Sequence, residues 1–132
     1  ELKYKKQLER LRMRRLLLQG IESGLDMAQL KEECSVSRRD LLEAIEELEK
    51  DGYSVEKLIV QELSKMPQDE QEGVWKAYEE LGDVFLKPVL YKVYGNDFTV
   101  PGGLDLYYER LRLIRIRFRR EFTDVSALAA NY

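Results

Sequence analysis

The sequence predicts an all-α protein, a helix-turn-helix core elaborated into a bundle of about six or seven helices. Three observations predict it. Apolar residues recur at three- and four-residue spacing through nearly every non-polar stretch, the period of a helix and not of a strand. Capping residues (Asp26, Ser37, Ser54) open these stretches and glycines (Gly52, Gly82) close them. Finally, residues 25–52, LDMAQLKEECSVSRRDLLEAIEELEKDG, hold a short helix, a tight turn and a second helix in helix-turn-helix order.

The chain opens with a helix over Lys3 to Ser23, with Tyr4, Leu8, Leu11 and Leu18 in helical register. Gly20 weakens it by about 1 kcal/mol relative to Ala and is a candidate early stop; Gly24 is the latest. Asp26 then caps a short helix carrying Met27, Leu30 and Cys34, and Ser35-Val36 makes the turn. Ser37, with Asp40 three residues on, has capping-box spacing and opens a helix whose stripe is Leu41, Leu42, Ile45 and Leu48. Ser54 caps a helix with Val55, Leu58, Ile59 and Leu63, which stops near Met66-Pro67. Gln68 to Leu81 follows, burying some of Val74, Trp75, Ala77, Tyr78 and Leu81; Trp75 reads as core in preference to a stacking platform. Phe85 to Tyr94 is a short helix with Pro88 in its first turn, where a missing N–H costs little. Asn96 to Gly103 is a loop with a tight turn at Val100-Pro101-Gly102-Gly103.

The last long element, Leu104 to Phe122, carries two patterns. Leu111, Leu113, Ile116 and Phe118 alternate with arginines as in a strand, while Leu104, Tyr107, Tyr108, Leu111, Ile114 and Phe118 form a helical stripe. A lone strand would have no partner, so helix is the expectation. The domain organisation expected is a basic N-terminal helix (1–24) packing on a helix-turn-helix domain with added helices (25–122), then a flexible tail (123–132).

Composition excludes several chemistries. The chain has no His and one Cys, so neither a Cys/His zinc site within one chain nor a His-dependent triad can be built. Gly102-Gly103 is a bare pair, not a phosphate loop, and Cys34 reads as a small buried hydrophobe. No catalytic residue and no cofactor is expected. A first residue other than Met suggests a processed chain or a piece of a longer one. With no membrane-length apolar run and no signal peptide, the expectation is an intracellular, cytoplasmic protein without a membrane partner.

The net charge of −3 hides an asymmetry. Residues 1–20 hold seven basic residues against two acidic ones, residues 21–83 hold 18 acidic against seven basic, and six arginines crowd residues 110–120. Basic ends around an acidic middle can pair with each other or grip a phosphate backbone. The second helix of the motif is itself acidic, with Asp40, Glu43, Glu46, Glu47 and Glu49 after Arg38 and Arg39. A major-groove reader needs Arg, Lys, Asn or Gln there. Lys31 and Ser35 also stand where such motifs favour a small residue and a glycine.

Two further stretches, LGDVFLKPVLYKVYG (81–95) and LYYERLRLIRIRF (106–118), follow the motif at characteristic distances. With Gly52, Leu86-Lys87-Pro88, Tyr108 and Leu111-Arg112 in place, residues 17–119 resemble the helix-turn-helix accessory domain near the C-termini of some RecQ-type DNA helicases and related bacterial proteins. The resemblance implies a non-catalytic accessory module whose motor lies outside this chain. The acidic second helix and the Pro-Gly-Gly insertion depart from that pattern.

Two functions are therefore expected in competition, with a carboxylate-based enzyme a distant third. The first is binding of a DNA or RNA backbone through Arg12, Arg14, Arg15, Arg38, Arg39, Arg112, Arg115 and Arg119, with little base reading. Arg112, Arg115 and Arg119 share one helical face at three- and four-residue spacing, with pairing to the chain's own acidic middle as the competing role. The second is a protein-interaction module that uses the helix-turn-helix as scaffold, its acidic middle helices contacting a protein partner.

Overall fold

The computed structural model describes residues 2–95 and 103–130, with side chains described as far as residue 121. Among them are seven α-helices and no strand. They are α1 (Leu2–Glu22), α2 (Met27–Cys34), α3 (Arg38–Lys50), α4 (Glu56–Leu63), α5 (Gln68–Leu81), α6 (Leu86–Tyr94) and α7 (Gly103–Ala130). The chain divides into two compact units, Glu1–Glu62 and Leu63–Tyr132. That division falls at the end of α4, inside the segment 25–122 read from sequence as one domain. The turn expected at Val100-Pro101-Gly102 lies outside the described residues.

In the first unit α1, α2 and α3 pack together around the turn of the motif. Asp26 makes a full capping box: its carboxylate accepts from the Gln29 N–H at 2.9 Å, and the Gln29 side chain accepts from the Asp26 N–H at 3.0 Å. Ser37 Oγ accepts from the Asp40 N–H at 3.1 Å, which fixes where α3 begins. Between the two helices Ser35 takes a left-handed conformation, φ 52° and ψ 46°. A non-glycine residue there costs on the order of 1–2 kcal/mol, which is why the position favours glycine in such turns. The stripe Leu41, Leu42, Ile45 and Leu48 is buried as the period predicts, beside Met27 and Leu30. Two bonds tie α4 to this core. The Met27 N–H donates to Glu62 Oε1 at 2.8 Å, and Lys57 Nζ donates to the Glu22 carboxylate at 2.7 Å.

Helix α1 forms over the expected span but buries a different face. Leu17, Gly20 and Ile21 are its buried residues, whereas Tyr4, Leu8 and Leu11, expected in the packed stripe, are 67%, 39% and 62% exposed. Every residue from 2 to 12 is exposed. Gly20 is not a stop. It is buried where α1 meets α2, and a Cβ built on it would stand 2.5 Å from Leu30 Cδ2. The close approach of the two helices is what requires glycine there.

In the second unit α5 and α6 form a helical hairpin, with α7 packed on both. Gln71 Nε2 donates to the carbonyls of Leu63 (2.8 Å) and Met66 (3.0 Å), satisfying chain ends that the helices leave open. Tyr78 is buried, and its hydroxyl donates to the Leu111 carbonyl at 2.6 Å. Trp75 packs edge-on against Phe118, ring centroids 5.0 Å apart, in keeping with a core role. Tyr107, Leu111 and Ile114 are buried on one side of α7, and Glu109, Leu113 and Ile116 on the other. Burial on two faces explains the strand-like alternation. At about 100° per residue, positions two apart land on opposite sides of a helix. α7 also runs on to Ala130, beyond the expected end at Phe122. The segment after it, VSALAA, is rich in alanine, the strongest helix former.

Candidate functional site

The eight arginines expected to meet phosphate fall into three settings. On α7, Arg112, Arg115 and Arg119 do share a face, but they are engaged by their own chain. Arg119 Nε donates to the Asp83 carboxylate at 2.6 Å and its Nη2 to the Asp83 carbonyl at 3.3 Å. Arg115 Nη1 reaches the same carbonyl at 3.5 Å, and Arg112 is half-buried with a partner of its own. Asp83 follows Gly82, the C-cap of α5, so these cations sit where the helix dipole is negative.

On α3, Arg39 lies 3.9 Å from Glu43 one turn on, and Arg38 is half-buried and also engaged. The rest of that helix's exposed polar surface is Asp40, Glu43, Glu47 and Lys50. On α1, Arg14 donates to Asp51 Oδ2 at 2.5 Å and lies 5.7 Å from the centre of the Tyr53 ring. Arg10, one turn earlier, donates to Glu47. Arg12 and Arg15 are exposed, with no described ion pair.

Beside the Arg10 and Arg14 contacts an open groove of about 340 Å³ runs between α1 and α3. Leu11, Met13 and Leu17 line one wall, and Ala44 and Leu48 the other. Its rim is ionic and its floor apolar.

A second polar cluster, in the α5–α6–α7 unit, was not legible beforehand. Arg110 Nη1 donates to Glu70 Oε1 at 3.0 Å, the two side chains 26% and 17% exposed. The Tyr94 hydroxyl donates to the same carboxylate oxygen at 2.5 Å, and its ring lies 4.1 Å from that of Tyr107. Burial, and then the bond to Glu70, push the Tyr94 ionisation well above its ordinary value, so the phenol stays a donor. Cys34 is half-buried at the end of α2, where burial and the Glu33 carboxylate raise its thiol. A raised thiol is a poor nucleophile.

The arrangement thus separates arginines consumed by the fold from those left at the surface. Sequence spacing foresaw the shared face on α7 and the acidic middle as its competing partner, but not which acid would accept. Asp83 gave one signal, an acid directly after the glycine that ends α5. No described helix is long and apolar enough to cross a membrane. Comparison of the chain with protein-family models, curated proteins and solved structures gives no match.

Proposed function

We propose that the chain is a non-catalytic accessory module, of the helicase-associated kind its motifs resemble, in which the helix-turn-helix is scaffold and the working contacts are with protein. One observation carries the reading: where a major-groove reader needs donors, the exposed surface of α3 presents Asp40, Glu43 and Glu47, with Glu43 beside Arg39 and Glu47 held by Arg10. The arginines that could offset them are largely spent. Arg14 holds Asp51, Arg39 neighbours Glu43, and Arg115 and Arg119 are bound at Asp83.

The exposed Arg12 and Arg15, with Lys3, Lys5 and Lys6, favour a second reading: sequence-independent contact with a nucleic-acid backbone through α1. Titration of the full chain with labelled duplex and single-stranded DNA at several salt concentrations separates the two. The protein-contact reading expects no binding below about 0.1 mM, weaker than usual non-specific affinities. A log–log salt slope near −2 to −3, as for about three phosphates, overturns it. If Arg12→Gln with Arg15→Gln flattens that slope, the α1 reading takes its place. If Arg112→Gln, Arg115→Gln and Arg119→Gln together flatten it with the helical signal intact, α7 is the nucleic-acid face.

A further inference from the structure

Tyr4, Leu8, Leu11 and Leu18 recur at spacings of four, three and seven residues, and Arg15 completes the four-three alternation. Over two heptads these spacings match the a/d repeat of a coiled-coil seam. Its first three apolar members, Tyr4, Leu8 and Leu11, do not face the core, whereas Leu18 is half-buried. Leu17, Gly20 and Ile21 bury the other side of α1, roughly 140° around the helix at 100° per residue. Tyr4, Leu8 and Leu11 are therefore exposed on a half-helix with no fully buried residue, although isolated helices of that length are marginal in water.

Resting on the protein-contact reading above, we propose that this seam docks an acidic amphipathic helix of a partner protein, forming a short two-stranded coiled coil along α1. Charge selects the occupant. With Leu8 and Arg15 at a, and Tyr4, Leu11 and Leu18 at d, Lys5 and Arg12 fall at the flanking e positions. A second copy of the chain fits poorly in either direction. Parallel pairing sets Arg15 against Arg15, and antiparallel pairing sets Lys5 and Arg12 against each other. Glutamates flanking the partner's own leucine seam answer Lys5 and Arg12, and an acidic residue facing Arg15 fixes the register. Leu11 also lines the groove against Ala44 and Leu48, so a partner side chain at that level finds apolar surface on two walls. The seam is one or two residues wide, and Leu2 and Leu16 point elsewhere on α1. A membrane-surface helix needs a broad apolar face instead.

The test is fluorescence anisotropy of the full chain with three labelled peptides of about three heptads. One carries Leu at a and d with Glu at e and g, one has Lys in place of each Glu, and one is a scramble of the first. The expected result is binding of the Glu peptide at least tenfold tighter than either control. Leu8→Asn with Leu11→Asn should weaken it at least tenfold, and the milder Leu8→Ala with Leu11→Ala severalfold; the Ala pair, a good helix former at largely exposed positions, keeps helical signal and melting near those of the parent chain. Lys5→Glu with Arg12→Glu should reverse the preference towards the Lys peptide.

Equal binding of the Glu and Lys peptides, or of neither, overturns the proposal. So does binding that survives both leucine substitutions. Seam-dependent binding to phosphatidylserine vesicles or to duplex DNA, or self-association abolished by the same substitutions, assigns the seam to another occupant and equally overturns it. Failure here with a blank DNA titration leaves the protein-contact reading standing on the acidic surface of α3. Salt-dependent DNA binding through the arginines ends both.

Discussion

Helices α1 and α7 are both long, both arginine-rich, and alike in the sequence; they carry their charges in different ways. α7 is buried on two faces, with Leu111, Leu113, Ile114 and Ile116 all inaccessible, and Arg110, Arg115 and Arg119 bound to acids or carbonyls of their own unit. α1 is anchored by its last turns, and its first half is bare of core contacts. Counting basic residues ranked the two helices together. What separates them is whether the fold brings an acceptor within reach. Glu70 and Asp83 do so for α7, and Glu47 and Asp51 do so only on one side of α1. A charge-rich helix is thus a binding surface only for charges its own unit has not already answered.

Truncating an equivalent leucine on each helix should give the largest difference between them. Leu111 is fully buried, so Leu111→Ala should cost about 2–5 kcal/mol in urea unfolding followed by helical circular dichroism. Leu11 is mostly exposed, and Leu11→Ala should stay within about 0.5 kcal/mol. A comparable loss at both positions would mean that α1 carries core packing along its whole length.

Next in size is Arg110→Gln. It removes a charge-assisted bond to a half-buried Glu70, and about 1.5–3 kcal/mol should be lost. The Tyr94 bond to the same carboxylate adds a pH signature. Its raised ionisation means the folded state holds the phenolic proton longer than the unfolded chain does. That contribution is fully present below about pH 10, the ordinary tyrosine range, and declines as pH rises above it. Tyr94→Phe should remove the alkaline decline. If the decline persists unchanged, another group causes it.

Gly20→Ala tests the anchored end of α1. Overpacking against Leu30 costs about 1–3 kcal/mol and the better helix former returns about 1, so a net loss near 1 kcal/mol is expected. A net gain would show that α1 and α2 separate readily.

These two helices also mark what the sequence could convey. Helix positions were legible, because caps such as Asp26 and Ser37 and stops such as Gly52 act through local backbone bonds. The burial of Ile45 and its stripe was legible for the same reason, since α3 has one apolar face. The buried face of α1 was not. Leucines lie on several sides of it, and which side packs depends on Gly20 admitting α2, a tertiary fact. That the α7 arginines would meet the acidic middle was an open expectation, but which acids accept them was not legible. Asp83 and Glu70 lie 36 and 40 residues from their partners in sequence, and spacing along one helix says nothing of a neighbour. The division at residue 62 was hidden as well, because α4 gives no compositional sign of a boundary.

The smallest expected effect separates a paired arginine from an unpaired one. Arg119→Gln removes an ion pair to Asp83 that is half-exposed, so the loss should be a few tenths to about 1 kcal/mol at low salt. The glutamine amide nitrogen stands at the level of Arg119 Nε and can still donate to the Asp83 carboxylate, which keeps part of the bonding at the end of α5. Arg119→Ala should therefore cost somewhat more. Arg12→Gln, on the exposed half of α1, should change nothing measurable. Raising the salt to about 1 M shortens the screening length to about 3 Å, and the gap between the two glutamine variants should shrink accordingly. A salt-insensitive gap would assign the Arg119 effect to packing of its stem, not to its charge. Equal losses at Arg12 and Arg119 would mean that the exposed side of α1 is also answered by an acid, as Glu47 and Asp51 answer its other side, and the distinction between the two helices would fall.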